Sequence, residues 1–71
     1  MGVSYKKLFK LLIDRYMKKK ALQEATGLSP ASITKLAKNE IVRLDVLVKV
    51  CAALNVDFGD IMEFVPSIQD L

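Results

Sequence analysis

The sequence has no histidine, no tryptophan and a single cysteine, with only three glycines and two prolines in 71 residues. Each scarcity closes off some chemistry. Without histidine there is no imidazole to act as a general base near neutral pH, and no Cys/His set for a zinc site. Cys51 has no second cysteine to pair with, so an apolar core must hold the fold without an internal disulfide. The glycines stand apart as Gly2, Gly27 and Gly59, and no glycine-rich phosphate loop or serine elbow is formed. The carboxylates fall singly along polar positions. This inventory argues against an enzyme, and no cofactor, metal or small-molecule ligand is legible. No apolar run approaches the ~20 residues that a membrane helix requires, and no leader-like segment is visible. The expectation is a cytoplasmic protein with no membrane partner.

Hydrophobic residues make up 52% of the chain, which excludes a disordered polar tail. The length suits one domain over residues 1–71, with a stability of roughly 4–10 kcal/mol on per-residue averages. The net charge of +3 conceals a division along the chain. Residues 1–43 carry ten basic and three acidic side chains, a net +7, whereas residues 44–71 carry one and five, a net −4. A one-sided cationic surface attracts polyanions.

The apolar spacing predicts five helices and no strands. Ser4 stands where an N-cap belongs, and Tyr5, Leu8, Phe9, Leu12, Ile13 and Tyr16 recur at helical spacing as one wide inward face, ending at Met17 and Lys18. A short second helix spans about Lys19 to Thr26, with Leu22 inward and Ala25 or Thr26 beside it. Gly27 follows where a left-handed residue closes a helix. Leu28 is the apolar residue of the turn. Ser29 then caps a third helix whose first position is Pro30, where the missing N–H costs nothing. Ile33 and Leu36 face inward, and Lys38-Asn39-Glu40 leads out. Leu47, Val50, Cys51 and Leu54 mark a fourth helix from Leu44 to Leu54, with Asn55 as its stop. Asp57 can cap a brief fifth helix from Phe58 to about Phe64, placing Phe58, Ile61 and Met62 inward. Pro66 ends it, and residues 65–71 read as an apolar tail.

Two short helices joined by a glycine-containing turn form a helix-turn-helix over residues 19–38, a unit whose second helix can lie in the DNA major groove. The segment with Leu22, Thr26-Gly27-Leu28-Ser29, Ile33 and Leu36 resembles the core of the Cro/CI repressor-like (XRE-type) transcriptional regulators. Leu47, Cys51, Leu54-Asn55-Val56 and Asp60-Ile61 resemble their closing helices, so the likeness covers about residues 5 to 64 and is strongest to short, single-domain members. One position departs: Gln23 stands four places before the turn glycine, where the family usually has a small residue. The resemblance implies a compact all-α, five-helix repressor-like domain that binds double-stranded DNA as a transcriptional regulator, with helix 29–38 in the major groove. It implies base-facing positions at Pro30, Ala31, Ser32, Thr34 and Lys35. Phosphate partners are implied at Lys19, Lys20, Ser29, Lys38 and Asn39.

Lys35 suits base reading, because a lysine in the major groove donates to guanine O6 and N7, although it serves equally as a phosphate contact or a solvated side chain. Lys18-Lys19-Lys20 opposes the dipole at a helix start, and phosphate binding offsets that cost. Cys51 on an apolar helix face reads as a small hydrophobe. One module of this size buries only about 600–1,000 Å² on DNA, so a homodimer on a two-fold site is expected. Val46, Val48, Phe64, Val65, Ile68 and Leu71 are apolar residues of the acidic half available for that contact. The alternative is a helical protein-interaction module, such as an antitoxin or anti-regulator, in which the third helix need not be exposed.

Overall fold

A computed structural model describes residues 2–66. A short strand, β1 (Gly2–Ser4), leads into helices α1 (Lys6–Asp14), α2 (Lys19–Thr26), α3 (Pro30–Ala37) and α4 (Leu44–Leu54), followed by a 3₁₀ turn at Phe58–Asp60 and strand β2 (Glu63–Val65). Among the described residues twelve side chains form the core: Tyr5, Leu8, Leu12, Leu22, Leu28, Ile33, Leu36, Val46, Leu47, Val50, Leu54 and Ile61. No polar or charged residue is buried among them. Each fully buried aliphatic side chain stabilises the fold by about 1.5–3 kcal/mol relative to exposure.

Two expectations are overturned at the C-terminal end. There are four α-helices among the described residues, not five, and the chain is not strand-free. Asp57 does cap, but only a single turn: its carboxylate accepts from the Phe58 N–H at 2.7 Å, while the Asp60 carboxylate accepts from the Asp57 N–H at 3.0 Å. With Gly59 inside and Pro66 beyond, the segment cannot propagate an α-helix. Glu63, Phe64 and Val65 extend instead and pair antiparallel with Ser4, Val3 and Gly2. β-Branched and aromatic side chains suit this pleated surface. Val65, assigned to a tail by the sequence, is therefore part of a two-stranded ribbon. Ile68 and Leu71 lie outside the described residues.

The first helix also differs at both ends. Ser4 belongs to β1, and Tyr5 takes the N-cap position. Its N–H is satisfied from 34 residues away, by Asn39 Oδ1 at 2.9 Å. Its hydroxyl donates to the Glu40 carbonyl at 2.9 Å. Tyr5, Leu8 and Leu12 form the buried stripe. Ile13, expected inside, is turned about 100° from Leu12 and is 73% exposed. Tyr16, also expected inside, lies past the helix end and is 97% exposed.

All four helices stop at a left-handed residue: Tyr16 (φ +58°), Gly27 (φ +72°), Asn39 (φ +58°) and Asn55 (φ +56°). After three of them the next N–H reaches back five residues, from Met17 to Leu12, Glu40 to Lys35 and Val56 to Cys51. This pattern satisfies carbonyls that a helix end leaves open. Glycine and asparagine tolerate the conformation, whereas a tyrosine does so at a cost. Arg15 ties α1 to α4 by donating from Nη1 to the Leu54 carbonyl at 2.5 Å, where a cation also suits the helix dipole. Half-buried Cys51 packs against the core, and burial pushes its thiol above the ordinary range, with the Asp57 and Asp60 carboxylates adding to the effect.

Two outcomes follow from these contacts. Tyr16→Gly removes the left-handed penalty with no loss of packing, and is expected to stabilise the chain by about 0.5–1 kcal/mol in urea unfolding. Tyr5→Phe deletes one buried hydrogen bond and is expected to cost about 1 kcal/mol at neutral pH. Burial raises the Tyr5 phenol above its ordinary value, partly opposed by a backbone hydrogen bond from Val42. The stability it contributes is therefore complete below about pH 10 and is lost as pH rises further, because the unfolded chain ionises first. The pH dependence of the urea midpoint above pH 9.5 is expected to be shallower in Tyr5→Phe.

Candidate nucleic-acid interface

The elbow between α2 and α3 is built from local signals. Gly27 supplies the positive φ that ends α2, and its N–H bonds the Gln23 carbonyl at 2.9 Å. Thr26 reinforces the turn. Its hydroxyl donates to the Leu22 carbonyl at 2.8 Å and accepts from the Leu28 N–H at 3.3 Å. Leu28 then buries itself, which sets where α3 starts. Ser29 Oγ accepts from the Ser32 N–H at 3.3 Å, and Pro30 opens the helix. Gln23, larger than the family norm at this position, is half-exposed, and α2 is in contact with α3.

The two faces of α3 separate cleanly. Ile33 and Leu36 are buried, while Pro30, Ala31, Thr34, Lys35 and Lys38 are exposed. Their spacing places these five on one outward stripe. Ser32 is half-buried at its edge, with Oγ 3.3 Å from Ser29 Oγ. Thr34 donates its hydroxyl to the Pro30 carbonyl at 3.0 Å, leaving its oxygen lone pairs facing outward. Pro30 has no N–H, and the Ala31 N–H finds no acceptor among the described residues.

Lys18, Lys19 and Lys20 are exposed at the start of α2, and they share one surface groove with Ala37 of α3. The phosphate candidates Lys19 and Lys20 are thus brought beside the C-terminal end of the helix that carries Lys38. Lys19 Nζ stands 5.7 Å from the Phe9 ring centroid, a cation–π contact that orients the side chain. Ser29 is exposed at the opposite end of α3.

Asn39 is occupied by another task. Its Oδ1 holds the Tyr5 N–H, and its left-handed backbone closes α3. Sequence reasoning placed it only as a phosphate partner. The asparagine just past a helix was a readable sign of the left-handed stop, but nothing local identified Tyr5 as its partner.

The remaining chemistry is sparse. Among the described residues no group of three His, Cys, Asp or Glu side chains is placed to hold a metal ion, and no helix is long and apolar enough to cross a membrane. The Arg43–Asp45 pair, at 3.3 Å and largely solvated, contributes little.

Comparison with known proteins agrees with this geometry. The sequence profile of the Cro/C1-type HTH DNA-binding domain matches residues 7–67. No curated protein matches the chain. The crystal structure of transcriptional regulator VanUg, Form II, superimposes with a TM-score of 0.87 at 58% sequence identity, covering 92% of this chain and 87% of that one. With most of its length matched and the elbow, caps and buried positions all in place, the chain belongs to the Cro/C1-type helix-turn-helix DNA-binding domain family.

Proposed function

We propose that this protein is a transcriptional regulator, acting as a repressor, that inserts α3 into the major groove of an operator. The observation that carries the reading is the outward stripe of α3, exposed from Pro30 to Lys38 while Ile33 and Leu36 anchor its other side. A helix held this way offers side chains to base edges without disturbing its own packing. The regulatory role named for VanUg, at 58% identity, supports the same assignment. Repression requires only that the bound protein occupy the duplex.

In this reading Lys35 donates to guanine O6 or N7, Ala31 meets a thymine methyl group, and Pro30, Ser32 and Thr34 line the same base edges. Lys19, Lys20 and Lys38 neutralise phosphates, together with the Ser29 hydroxyl and the Asn39 amide N–H₂ left free by its Oδ1 bond. The Ala31 N–H at the start of α3 is a further donor for a phosphate oxygen.

The domain works as a homodimer through its acidic half, which leaves the cationic side for the polyanion. Val46 takes no part, because it is in the core. Val48, Phe64 and Val65 keep exposed apolar surface, and Leu44 adds to it one helical turn before Val48. Symmetry then places two copies of α3 about one helical turn of DNA apart.

These assignments separate by measurement. Against duplexes selected from a random pool, Lys35→Ala is expected to relax preference at one base position by about 1–3 kcal/mol. Lys19→Ala and Lys20→Ala are instead expected to weaken all duplexes alike, each lowering the log–log salt slope by about 0.9. Unchanged binding in all three variants contradicts the recognition surface. Light scattering is expected to give twice the 7.9 kDa chain mass, and a monomer mass at high concentration contradicts the dimer.

A further inference from the structure

A groove of about 670 Å³ opens between the end of α1, the start of α2 and the end of α3. Its apolar lining is formed by Phe9, Leu12, Ile13, Met17 and Ala37, and among the described residues no carboxylate lines it. Lys18, Lys19 and Lys20 complete the lining. Ile13 is 73% exposed, far more than an aliphatic residue on an amphipathic helix needs to be. Tyr16, between groove residues Ile13 and Met17 in sequence, is 97% exposed and held at φ +58°. An exposed aromatic side chain kept in a costly backbone conformation, beside open apolar surface, is a feature that packing alone does not explain.

We propose that this groove docks an acidic, amphipathic peptide segment of a partner protein, and that this partner and duplex DNA exclude one another. Charge complementarity selects the occupant. An apolar lining joined to three lysines fits a helix or strand that carries apolar anchors flanked by Asp or Glu. A sugar–phosphate backbone satisfies the lysines but leaves the apolar lining uncovered. A second copy seated here by its acidic half is distinguished by self-association, which the test below reads. The exclusion rests on the DNA reading given above, because the groove and the duplex both call on Lys19 and Lys20. The docking site itself does not depend on that reading. An acidic partner seated here removes the phosphate contacts and so releases the operator.

The test is selection of phage-displayed random peptides of about fourteen residues, some four helical turns, on the full chain. The enriched sequences are then synthesised and titrated by fluorescence polarisation. The expected peptides combine Asp or Glu with Leu, Ile or Phe. Ile13→Gln leaves the net charge unaltered and changes an exposed side chain, with folding checked by circular dichroism. It is expected to weaken these peptides about tenfold or more while leaving duplex affinity unchanged, and saturating peptide is expected to displace labelled duplex from the wild-type protein. The docking site is overturned by failure to enrich any peptide, by enriched peptides without carboxylates, by indifference to Ile13→Gln, or by a change in self-association in that variant. The exclusion is overturned if peptide and duplex bind together. A wild-type protein that binds no duplex removes the DNA reading and the exclusion with it, and the peptide titration still decides the groove.

Discussion

The structure depends on how α2 packs against both α3 and α4. Leu22, Leu28, Ile33 and Leu36 from the helix-turn-helix and Leu47, Val50 and Leu54 from α4 are all buried in one core. The hydrophobic effect sets the strength of this packing but not its direction. Direction comes from the backbone: the left-handed Gly27, the Thr26 hydroxyl that links α2 to the turn, and the Ser29 cap. Burying Ile33 and Leu36 leaves the Pro30–Lys38 stripe nowhere to point but outward. The presentation of α3 is thus a consequence of the core.

A second fixture acts at the far end of α3. Tyr5 donates its N–H to Asn39 Oδ1 and its hydroxyl to the Glu40 carbonyl, joining the start of α1 to the exit of α3 across more than thirty residues. The β-ribbon adds a parallel restraint by tying Gly2–Ser4 to Glu63–Val65. The exit of α3 is therefore held by a residue distant in sequence, while its start is set by the local elbow.

This division explains what was legible in the sequence. Signals that act within a few residues were readable: the Gly27 turn, Ser29-Pro30 at a helix start, Asn55 at a helix end, and the buried spacing of Leu47, Val50 and Leu54. Contacts between distant segments were not. Nothing near Glu63-Phe64-Val65 announces Gly2-Val3-Ser4 as its partner, so a strand was read as the end of a helix. Tyr16 misled because its residue type favours burial and its left-handed backbone is uncommon for tyrosine. The buried side of α3 was legible through its spacing, and its outward positions through the family likeness. The groove was not, because its walls come from three helices and only their packing brings Ile13 beside Lys18 and Ala37.

The charge division along the chain acquires a physical use in the folded molecule. Cations gather at the start of α2 and the end of α3, and the acidic turn around Asp57 and Asp60 follows α4. The most direct measurement of the account is a heteronuclear NMR titration of the full chain with a duplex selected from a random pool. The account predicts that amide shifts concentrate at Lys19, Lys20, Ala31, Thr34, Lys35 and Lys38. Shifts confined to the β-ribbon and the outer side of α4, with α3 unmoved, contradict it.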